Sequence, residues 1–381
     1  MDVVVTGIGL RTCLGSLAES WQSLQSGKSG IRLMQPFPEL PAYPLGLIGY
    51  SPANLDDLTK IVVESAVRDA GLKISLNDCG VVIGSSRGCQ ATWENLATQY
   101  SPDCNWLDSL PHRAAVLTAR LIETSAPVLS PMAACATGIH ALARAWELIQ
   151  TGRCQRVIAG AVEAPITRLS LAGFERLGAL AKTGCYPFDK KREGLVLGEG
   201  GAVFVLETLS LAKARNARIY GHILGFALTC DAQGITAPES DSRSATIAVK
   251  QCLERSNLTP DEVDYLHLHG TSTKLNDLHE ARLIEHLFPP QIAVSSTKGA
   301  TGHSLGASGA MGVAFCLMAL QSGYLPPCVG LNDLAFSLNA VSNSQKKNPQ
   351  NALCFSFGFG GQNAILALSK QQITLKSSLS P

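Results

Sequence analysis

The chain has 381 residues, 46% of them apolar and 16% charged, so it can bury a core large enough for two domains or one closely packed pair. Lys and Arg (31) nearly balance Asp and Glu (30), which argues against an overall basic surface for nucleic acid or anionic membranes. None of the twelve cysteines forms a Cys-x-x-Cys pair, which argues against zinc ribbons and thioredoxin-type redox sites.

The start of the chain predicts a β-strand from its second residue. The stretch "MDVVVTGIG" leaves no room for a signal or transit peptide. No apolar run is expected to reach the roughly 18 residues that cross a bilayer. We therefore expect a soluble, cytoplasmic protein whose cysteines are reduced.

Short β-branched runs alternate with amphipathic helical patterns along the chain. This alternation indicates an α/β protein whose sheet is largely covered by helices. The predicted strands lie at 3–7, 79–86, 156–164, 201–207 and 364–369, and the clearest amphipathic helices at 17–27 and 58–72.

Two stretches of equal length resemble each other: "GIHALARAWELIQTG" at 138–152 and "GAMGVAFCLMALQSG" at 309–323. Both are nearly all apolar, which suits helices that are buried on every side. Each follows a small-residue segment that contains a candidate catalytic residue. The pair indicates an internal duplication with a boundary near 206–216; two similar helices by chance are the alternative.

Cys135 lies in "AACATG", where an apolar segment gives way to the first of these helices. A thiol reacts as its thiolate, and a helix N-terminus supplies free N–H groups and a positive dipole end that favour this charge. Cysteine is also common as a small buried apolar residue. From this motif alone, a nucleophile and a structural thiol both remain open.

Two histidines of the second half lie next to small residues. "YLHLHGTSTK" has strand alternation through His267 and His269, so His269 is expected at the strand end beside a turn, where loops often carry function. "SSTKGATGHSLGASGA" has Lys298 and His303 in a predicted loop before the second apolar helix. For each histidine taken singly, a hydrogen-bonded structural role is the alternative. "CFSFGFGGQNA" interleaves Phe and Gly and predicts a flexible loop that gates a pocket.

In combination, these motifs resemble the β-ketoacyl–acyl carrier protein synthases, the two-histidine condensing enzymes of fatty-acid and polyketide synthesis. The matching stretches follow the family's order: "VVVTGIG", "AACATG", "PFDKKREGLVLGEGG", "HLHGTSTKLNDLHE", "SSTKGATGHSLGASGA" and "SFGFGGQNA". The resemblance implies a thiolase-like α/β fold, with a duplicated five-layered α-β-α-β-α architecture. It also implies an N-terminal half at 1–210 with the nucleophile, and a C-terminal half at 211–381 with the two histidines and the Phe-Gly gating loop.

The resemblance further implies the chemistry. Cys135 matches the nucleophile that accepts the acyl group. His269 and His303 match the pair that stabilises the enolate formed when a malonyl thioester loses carbon dioxide, giving a 3-oxoacyl carrier protein two carbons longer. The backbone N–H groups of Cys135 and Phe359 match the oxyanion hole. The Phe359 side chain matches the gate of the acyl pocket, which Phe357 also lines.

Other residues are assigned supporting roles by the same resemblance. Lys298 matches a lysine that orders the region of His303, and Asp277 and Glu280 match acidic residues behind His269. No metal and no bound cofactor are implied, because the 4′-phosphopantetheine thioester arrives on the carrier protein. The implied partners are acyl- and malonyl-loaded acyl carrier protein and a second copy of the chain in a homodimer, without nucleic acid or membrane.

One stretch departs from the family's pattern. "VVIGSSRGCQ" has Ser86 and Arg87 where the fatty-acid members carry Gly and an apolar residue that lines the acyl tunnel. Burying an Arg beside an alkyl chain is costly unless its charge is paired. Arg87, assigned to the acyl pocket, is therefore expected to shorten that pocket, to meet a polar acyl group, or to turn outward toward the surface or the carrier protein.

Three rival functions are conceivable for such a chain. A degradative thiolase would need a second catalytic cysteine near the C-terminus, and the nearest candidate, Cys354, lies in a predicted strand. The condensing enzymes that use one His and one Asn are disfavoured by the presence of both His269 and His303. A catalytically silent partner that sets the chain length of an active synthase would lack the nucleophile; Arg87 keeps this alternative open.

Overall fold

A computed structural model of the chain describes residues 1–98 and 106–371. The strands of this part of the chain are β1 (Val3–Thr12), β2 (Gly15–Ser16), β3 (Arg32–Met34), β4 (Tyr43–Leu45), β5 (Gly80–Gly84), β6 (Val128–Leu129), β7 (Arg156–Glu163), β8 (Gly200–Thr208), β9 (Gly221–Cys230), β10 (Tyr265–His267), β11 (Ala293–Ser295), β12 (Tyr324–Leu325), β13 (Asn339–Ala340), β14 (Gln345–Lys346), β15 (Asn351–Gly358) and β16 (Gln362–Ser369).

The α-helices over the same residues are α1 (Leu17–Gln25), α2 (Leu55–Asp69), α3 (Gln90–Thr98), α4 (Arg113–Ile122), α5 (Thr137–Gln150), α6 (Arg168–Arg176), α7 (Leu209–Ala214), α8 (Arg243–Arg255), α9 (Lys274–Leu287), α10 (Lys298–Thr301) and α11 (Ser308–Ser322). The five predicted strands form β1, β5, β7, β8 and β16, and the two predicted amphipathic helices form α1 and α2. These predictions are confirmed, although β1 runs five residues further than expected.

The large sheet has the strand order β13-β11-β10-β15-β16-β9-β1-β8-β7-β5-β6, with β2 paired to β1 at its side. This order contains a repeat. In the series β5-β7-β8-β1 and in the series β10-β15-β16-β9, the first pair is parallel and the next two are antiparallel. The two series meet where β1 pairs with β9. The duplication inferred from two helices is therefore present in the sheet as well.

Helices α5 and α11 lie between the two series of strands. α5 contacts β5 and β7 of the first series and β16 of the second, while α11 contacts β15 and β16 as well as β8. α2 packs against β1 and β8, and α8 against β9 and β16, through separate apolar clusters on the outer faces. The result is the predicted thiolase-like arrangement of five layers, α-β-α-β-α.

The two central helices differ in burial. Most of α11 is buried along its whole circumference, as predicted. α5 is buried on one side only, and Arg144 and Glu147 form a partly exposed ion pair on its other side, so the prediction of complete burial is wrong for α5. The helices touch closely, because a β-carbon on Gly138 would lie 2.5 Å from the backbone nitrogen of Ala310.

The segment Leu305–Ser322 is long and apolar enough to cross a membrane by composition, with a mean hydropathy of 1.4. This corrects the expectation that no apolar run reaches such a length. Inside the protein, 83% of the segment is buried, and it forms the core helix α11 with the turn before it. Of the predicted C-terminal half, residues 372–381 lie outside the described part of the chain.

Candidate active site

A cavity of about 430 Å³ lies where the chain enters α5 and α11. Cys135, His269, His303, Phe357 and Phe359 all line it. These residues come from motifs that are spread over more than 200 positions of the sequence. The fold therefore brings the predicted nucleophile, both histidines and both aromatic residues to one place.

The lining of this cavity falls into an apolar and a polar group. Phe174, Leu195 and Leu305 belong to one apolar cluster, against which Cys135 also packs. Thr271 and Thr273, in the turn after His269, also line the cavity, and their hydroxyls lie 2.9 Å apart. The cavity can therefore receive an apolar chain near the thiol together with a more polar linker.

Cys135 is half-buried and immediately precedes the N-cap of α5, which is Ala136. The preceding residue, Ala134, has a φ of 46°, in the left-handed region that is costly for a non-glycine residue. On β15, the hydroxyl of Ser356 donates to the Cys135 carbonyl at 2.9 Å. The nucleophile's backbone is thus held by a strand of the other half of the sheet.

The surroundings of the Cys135 thiol keep it protonated. Burial raises its pKa to about 11, the charge of Lys298 acts most strongly in the opposite direction, and Glu163 raises the pKa further. The charge of Arg87 and a hydrogen bond from the Phe359 backbone also lower the pKa. In this state the loss of hydration therefore outweighs the favourable charges around the thiol.

The turn between β15 and β16 approaches the nucleophile through its backbone. A β-carbon on Gly358 would lie 3.0 Å from the carbonyl oxygen of Ala133 and 3.1 Å from the backbone nitrogen of Cys135. The next residue, Phe359, directs its backbone N–H to the Cys135 sulfur. This contact is compatible with the predicted oxyanion hole. The predicted flexible loop is a hairpin, in which only the turn after Gly358 lies outside the strands.

His269 and His303 are almost completely buried, and their ring centres lie 5.2 Å apart at an angle of 83°. The Nδ1 atom of His303 lies 2.8 Å from the hydroxyl of Ser308, the first residue of α11. Burial lowers the pKa of both imidazoles well below 6.5, and the charge of Lys298 lowers them further. Both rings are therefore neutral at pH 7, with one N–H donor each.

The backbone of His269 is held by two buried ionisable residues. Glu280, on α9, accepts hydrogen bonds from the backbone N–H groups of His269 at 2.6 Å and Gly270 at 2.7 Å. The ammonium of Lys298 donates to the His269 carbonyl. Burial raises the pKa of Glu280 and lowers that of Lys298, while each charge favours the other. Lys298 lies in the short helix α10 and not in a loop, and it contacts His269, whereas the sequence assigned it to the region of His303.

Asp277 lies near His269 in the chain but outside the cavity lining. It accepts hydrogen bonds from the N–H groups of Phe188 at 2.8 Å and Ser272 at 3.2 Å. Burial raises its pKa to about 6. These contacts tie the turn after His269 to a segment of the first half of the chain.

Glu163 is a buried residue of the site that sequence reasoning missed. It accepts hydrogen bonds from the hydroxyls of Ser85 (2.7 Å) and Ser86 (2.6 Å), and from the N–H groups of Ser86 (2.8 Å), Arg87 (2.9 Å) and Gly306 (3.0 Å). The carboxylate therefore joins the loop after β5 to the turn before α11. Its signal in the sequence was an acidic residue at the end of the apolar strand "RVIAGAVEA".

Arg87 is exposed and does not line the cavity, which corrects its assignment to the acyl pocket. Its guanidinium carbon lies 5.5 Å from the centre of the Phe174 ring. Phe174 in turn lies 6.2 Å from Phe359, ring centre to ring centre. Of the three orientations expected, the outward one occurs, because the charge keeps its water and stacks on an aromatic face.

Cys354, the candidate second cysteine, is fully buried in β15 and is not part of the cavity lining. Its sulfur lies 3.9 Å from Nδ1 of His267, a distance at the limit of a sulfur hydrogen bond. Within residues 1–98 and 106–371, no group of three His, Cys, Asp or Glu side chains is arranged to hold a metal ion.

Comparison with known protein families gives two matches that together span most of the chain. Residues 54–212 match the model of the β-ketoacyl synthase N-terminal domain, and residues 220–332 match that of the C-terminal domain. A 3-oxoacyl-[acyl-carrier-protein] synthase 2 of Synechocystis sp. is 36% identical, over 97% of this chain and 98% of the relative. The synthase of the same name from Coxiella burnetii is 33% identical, over 97% and 98%.

Solved structures of similar fold include a type II polyketide ketosynthase, bound to a hexaketide and in complex with its acyl carrier protein. It has a TM-score of 0.90 and 27% identity, and the match covers 97% of this chain and 99% of that one. A β-ketoacyl synthase from Burkholderia phymatum has a TM-score of 0.88 and 27% identity, over 97% and 100%.

Proposed function

The chain belongs to the β-ketoacyl synthase family, and from that premise we propose that Cys135, His269 and His303 are its catalytic residues. The reaction is a decarboxylative condensation of an acyl thioester with malonyl carrier protein. It produces a 3-oxoacyl carrier protein that is two carbons longer. The main support for this assignment is that the thiol and the two neutral imidazoles line one cavity, which has an apolar part and a polar part.

Acyl transfer would begin at the Cys135 sulfur. The sulfur forms a bond to the acyl carbon, the bond from that carbon to the carrier sulfur breaks, and the proton of the Cys135 thiol ends on the carrier thiol. Because the thiol is protonated at rest, a neutral imidazole of the cavity can carry this proton between the two sulfurs. The N–H groups of Cys135 and Phe359 would stabilise the oxyanion of the intermediate.

Condensation would then use both histidines as hydrogen-bond donors. Loss of carbon dioxide from the malonyl thioester leaves an electron pair on the α-carbon, and the enolate oxygen accepts hydrogen bonds from the two imidazoles. A Ser308 hydroxyl that donates to Nδ1 of His303 leaves the ring proton on Nε2. The α-carbon bonds to the acyl carbon, the bond to the Cys135 sulfur breaks, and the thiol regains a proton from solvent.

We propose that the acyl and malonyl groups arrive on the 4′-phosphopantetheine of an acyl carrier protein. The hydroxyls of Thr271 and Thr273 support this, because they offer hydrogen bonds to the amide groups of such an arm. Lys274 is exposed at the rim of the same cavity and offers a positive charge to an acidic carrier.

We also propose a homodimer that forms along β6. This strand is the last of the large sheet over the described residues, and it pairs with β5 on its other side. Val128, Leu129 and Met132 are exposed on or just after it, so a second copy would cover apolar side chains as well as a free strand edge. Val128→Lys should convert the dimer to a monomer in light scattering; a wild-type chain that is already monomeric would contradict the proposal.

The two halves remain proposed at 1–210 and 211–381, with the division inside α7, the short helix in the link from β8 to β9. The repeated strand order on either side of this link supports it. We propose a cytoplasmic location, because the mechanism needs the Cys135 thiol in its reduced form.

The catalytically silent partner is not favoured, because the nucleophile, both histidines and their supporting contacts are all present. A thiolase is not favoured either, because Cys354, the candidate for its second catalytic cysteine, lies outside the cavity lining.

The test of the proposed function uses purified protein, malonyl carrier protein and acyl carrier proteins with chains of two to sixteen carbons. Mass spectrometry of the carrier should show a two-carbon 3-oxo extension that Cys135→Ala abolishes. A protein that no acyl donor modifies at Cys135 would favour the silent partner.

A further inference from the structure

We infer that Arg87 determines the acyl-chain preference of this enzyme by holding Phe174 against Phe359 at the apolar end of the cavity. The inference rests on the proposed function, because it concerns the acyl group carried by Cys135. It assigns a role to a residue that contacts neither the nucleophile nor the cavity.

The backbone of Arg87 is fixed by a buried acid. Its N–H donates to the carboxylate of Glu163, as do the N–H and the hydroxyl of Ser86. The same carboxylate binds Gly306, in the turn that leads from His303 into α11. The Cα of Arg87 is therefore held in a constant position relative to the catalytic centre.

The side chain of Arg87 reaches from this anchor to an aromatic ring. Arg87 is exposed, and no carboxylate of the described residues forms an ion pair with it. Its guanidinium carbon lies over the face of Phe174, 5.5 Å from the ring centre. A cation over an aromatic face is attracted to it, and an arginine also stacks through its planar group.

Phe174 links Arg87 to the gate. It is buried and lines the cavity within the apolar cluster that contains Leu195 and Leu305. Its ring is tilted by 35° to that of Phe359, at 6.2 Å. Phe359 is partly exposed, lines the cavity and follows the glycine that touches the Cys135 backbone. Arg87, Phe174 and Phe359 thus form one continuous stack, which we call the aromatic stack.

Long acyl chains are the ones that the aromatic stack disfavours. Because Cys135, Phe174 and Phe359 line the same cavity, we infer that a short chain on Cys135 stays beside the stack and that a long one displaces Phe174 or Phe359. Moving Phe174 separates its ring from the Arg87 guanidinium and breaks their contact. Arg87 therefore raises the free energy of binding only for chains that are long enough to reach the Phe174 ring. Arg87 should therefore favour short chains over long ones. Its charge also lowers the pKa of the Cys135 thiol, but this effect is shared by all acyl donors and does not change the ratio between them.

The experiment is a competition between butyryl and dodecanoyl carrier proteins for Cys135, followed by intact-protein mass spectrometry. Arg87→Leu should raise the ratio of dodecanoyl to butyryl enzyme about two- to fivefold, as expected from a cation–aromatic contact at an exposed site. Arg87→Lys should give an intermediate ratio. In a Phe174→Leu background, Arg87→Leu should no longer change the ratio, because the two residues act on the same ring.

Arg218→Leu provides a matched control. Arg218 is also exposed, and its guanidinium carbon lies 4.2 Å from the ring centre of the buried Tyr220, but neither residue lines the cavity. This variant should keep the wild-type ratio.

Two results would overturn the inference: an unchanged ratio in Arg87→Leu, or an equal loss of both acylations. The second would mean that Arg87 acts on a step shared by both donors, either through its charge on the Cys135 thiol or by binding the carrier or the phosphate of its arm. Failure of the proposed function is distinguishable, because in that case the wild-type protein itself would show no acylation of Cys135.

Discussion

Gly358 and Cys135 touch through their backbones: a β-carbon on Gly358 would lie 3.1 Å from the Cys135 nitrogen. The same β-carbon would lie 3.2 Å from the nitrogen of Ala136, which caps α5. The position of the nucleophile therefore depends on the absence of a side chain more than 200 residues away in the sequence.

Gly358→Ala should slow the acylation of Cys135 by up to about tenfold, since its β-carbon lies 3.0–3.2 Å from the nucleophile loop and requires a shift well below the 1 Å that costs about a hundredfold. A time course of intact mass with a short acyl donor measures it. Gly173→Ala is the control: a β-carbon on this helical glycine would have open space around it, so the rate should not change. A wild-type rate in Gly358→Ala would show that the nucleophile loop adapts without cost.

Ser308→Ala removes the partner of the His303 Nδ1 atom, so the ring is no longer held in one orientation. Release of carbon dioxide from malonyl carrier protein should fall about five- to tenfold, the effect of one lost hydrogen bond. Ser304→Ala is the matched control, because the Ser304 hydroxyl is buried without a partner among the described residues. Equal rates in the two variants would contradict a role for Ser308 in positioning His303.

Titration of His269 and His303 should give no inflection in the malonyl decarboxylation rate between pH 6.5 and 8. The pKa values of His269 and His303 are lowered well below 6.5, so both rings stay neutral through this range and take up protons only at lower pH. His269→Ala and His303→Ala should each reduce the rate by about 10²- to 10³-fold. An inflection near pH 6.5 in the wild-type profile would contradict the buried, neutral pair.

Alkylation of Cys135 by iodoacetamide in the resting enzyme should become faster with pH, by about tenfold per unit between pH 7 and 9. Its thiol pKa is raised to about 11, so the thiolate fraction is still increasing over this whole range. Peptide-resolved mass spectrometry is needed, because Cys230 is exposed as well. A plateau in the alkylation rate below pH 8 would contradict the raised pKa, because it would mean that the surroundings stabilise the thiolate of Cys135 more strongly than burial disfavours it.

Glu280→Ala should lower the free energy of unfolding by about 2–5 kcal/mol, because the buried N–H groups of His269 and Gly270 lose their acceptor. Urea denaturation measures the change. Glu254→Ala, at an exposed position of α8, should change the stability by no more than about 0.5 kcal/mol. Equal effects of the two substitutions would exclude the proposed anchoring of the His269 backbone.

The layered fold and the main components of the site could be predicted from local sequence. Strands such as β1 and β8 contain apolar runs rich in Val, and the stretches at 138–152 and 309–323 repeat one pattern. Cys135 and His303 each precede one of these helices, so a duplicated fold brings them together.

Properties that arise from distant partners could not be predicted. Glu163 binds Ser86, 77 residues away, and Gly306, 143 residues away, so no local pattern reveals its role. The raised pKa of Cys135 comes from burial by segments that include the Gly358 turn. Arg87 was expected to shorten the pocket, to meet a polar acyl group or to turn outward, and the local sequence does not contain Phe174, the ring on which its guanidinium stacks.

The place of β1 in the sheet has a consequence for biosynthesis. β1 ends at residue 12, whereas its two long neighbours begin much further along the chain, β8 at residue 200 and β9 at residue 221. At a translation rate of roughly 5–20 residues per second, this apolar strand emerges about 10–40 s before either partner exists. During that interval its edges are open to pairing with other chains. Strong overexpression should therefore favour aggregates, and slower synthesis in the cold, or more chaperone, should increase the yield of folded enzyme.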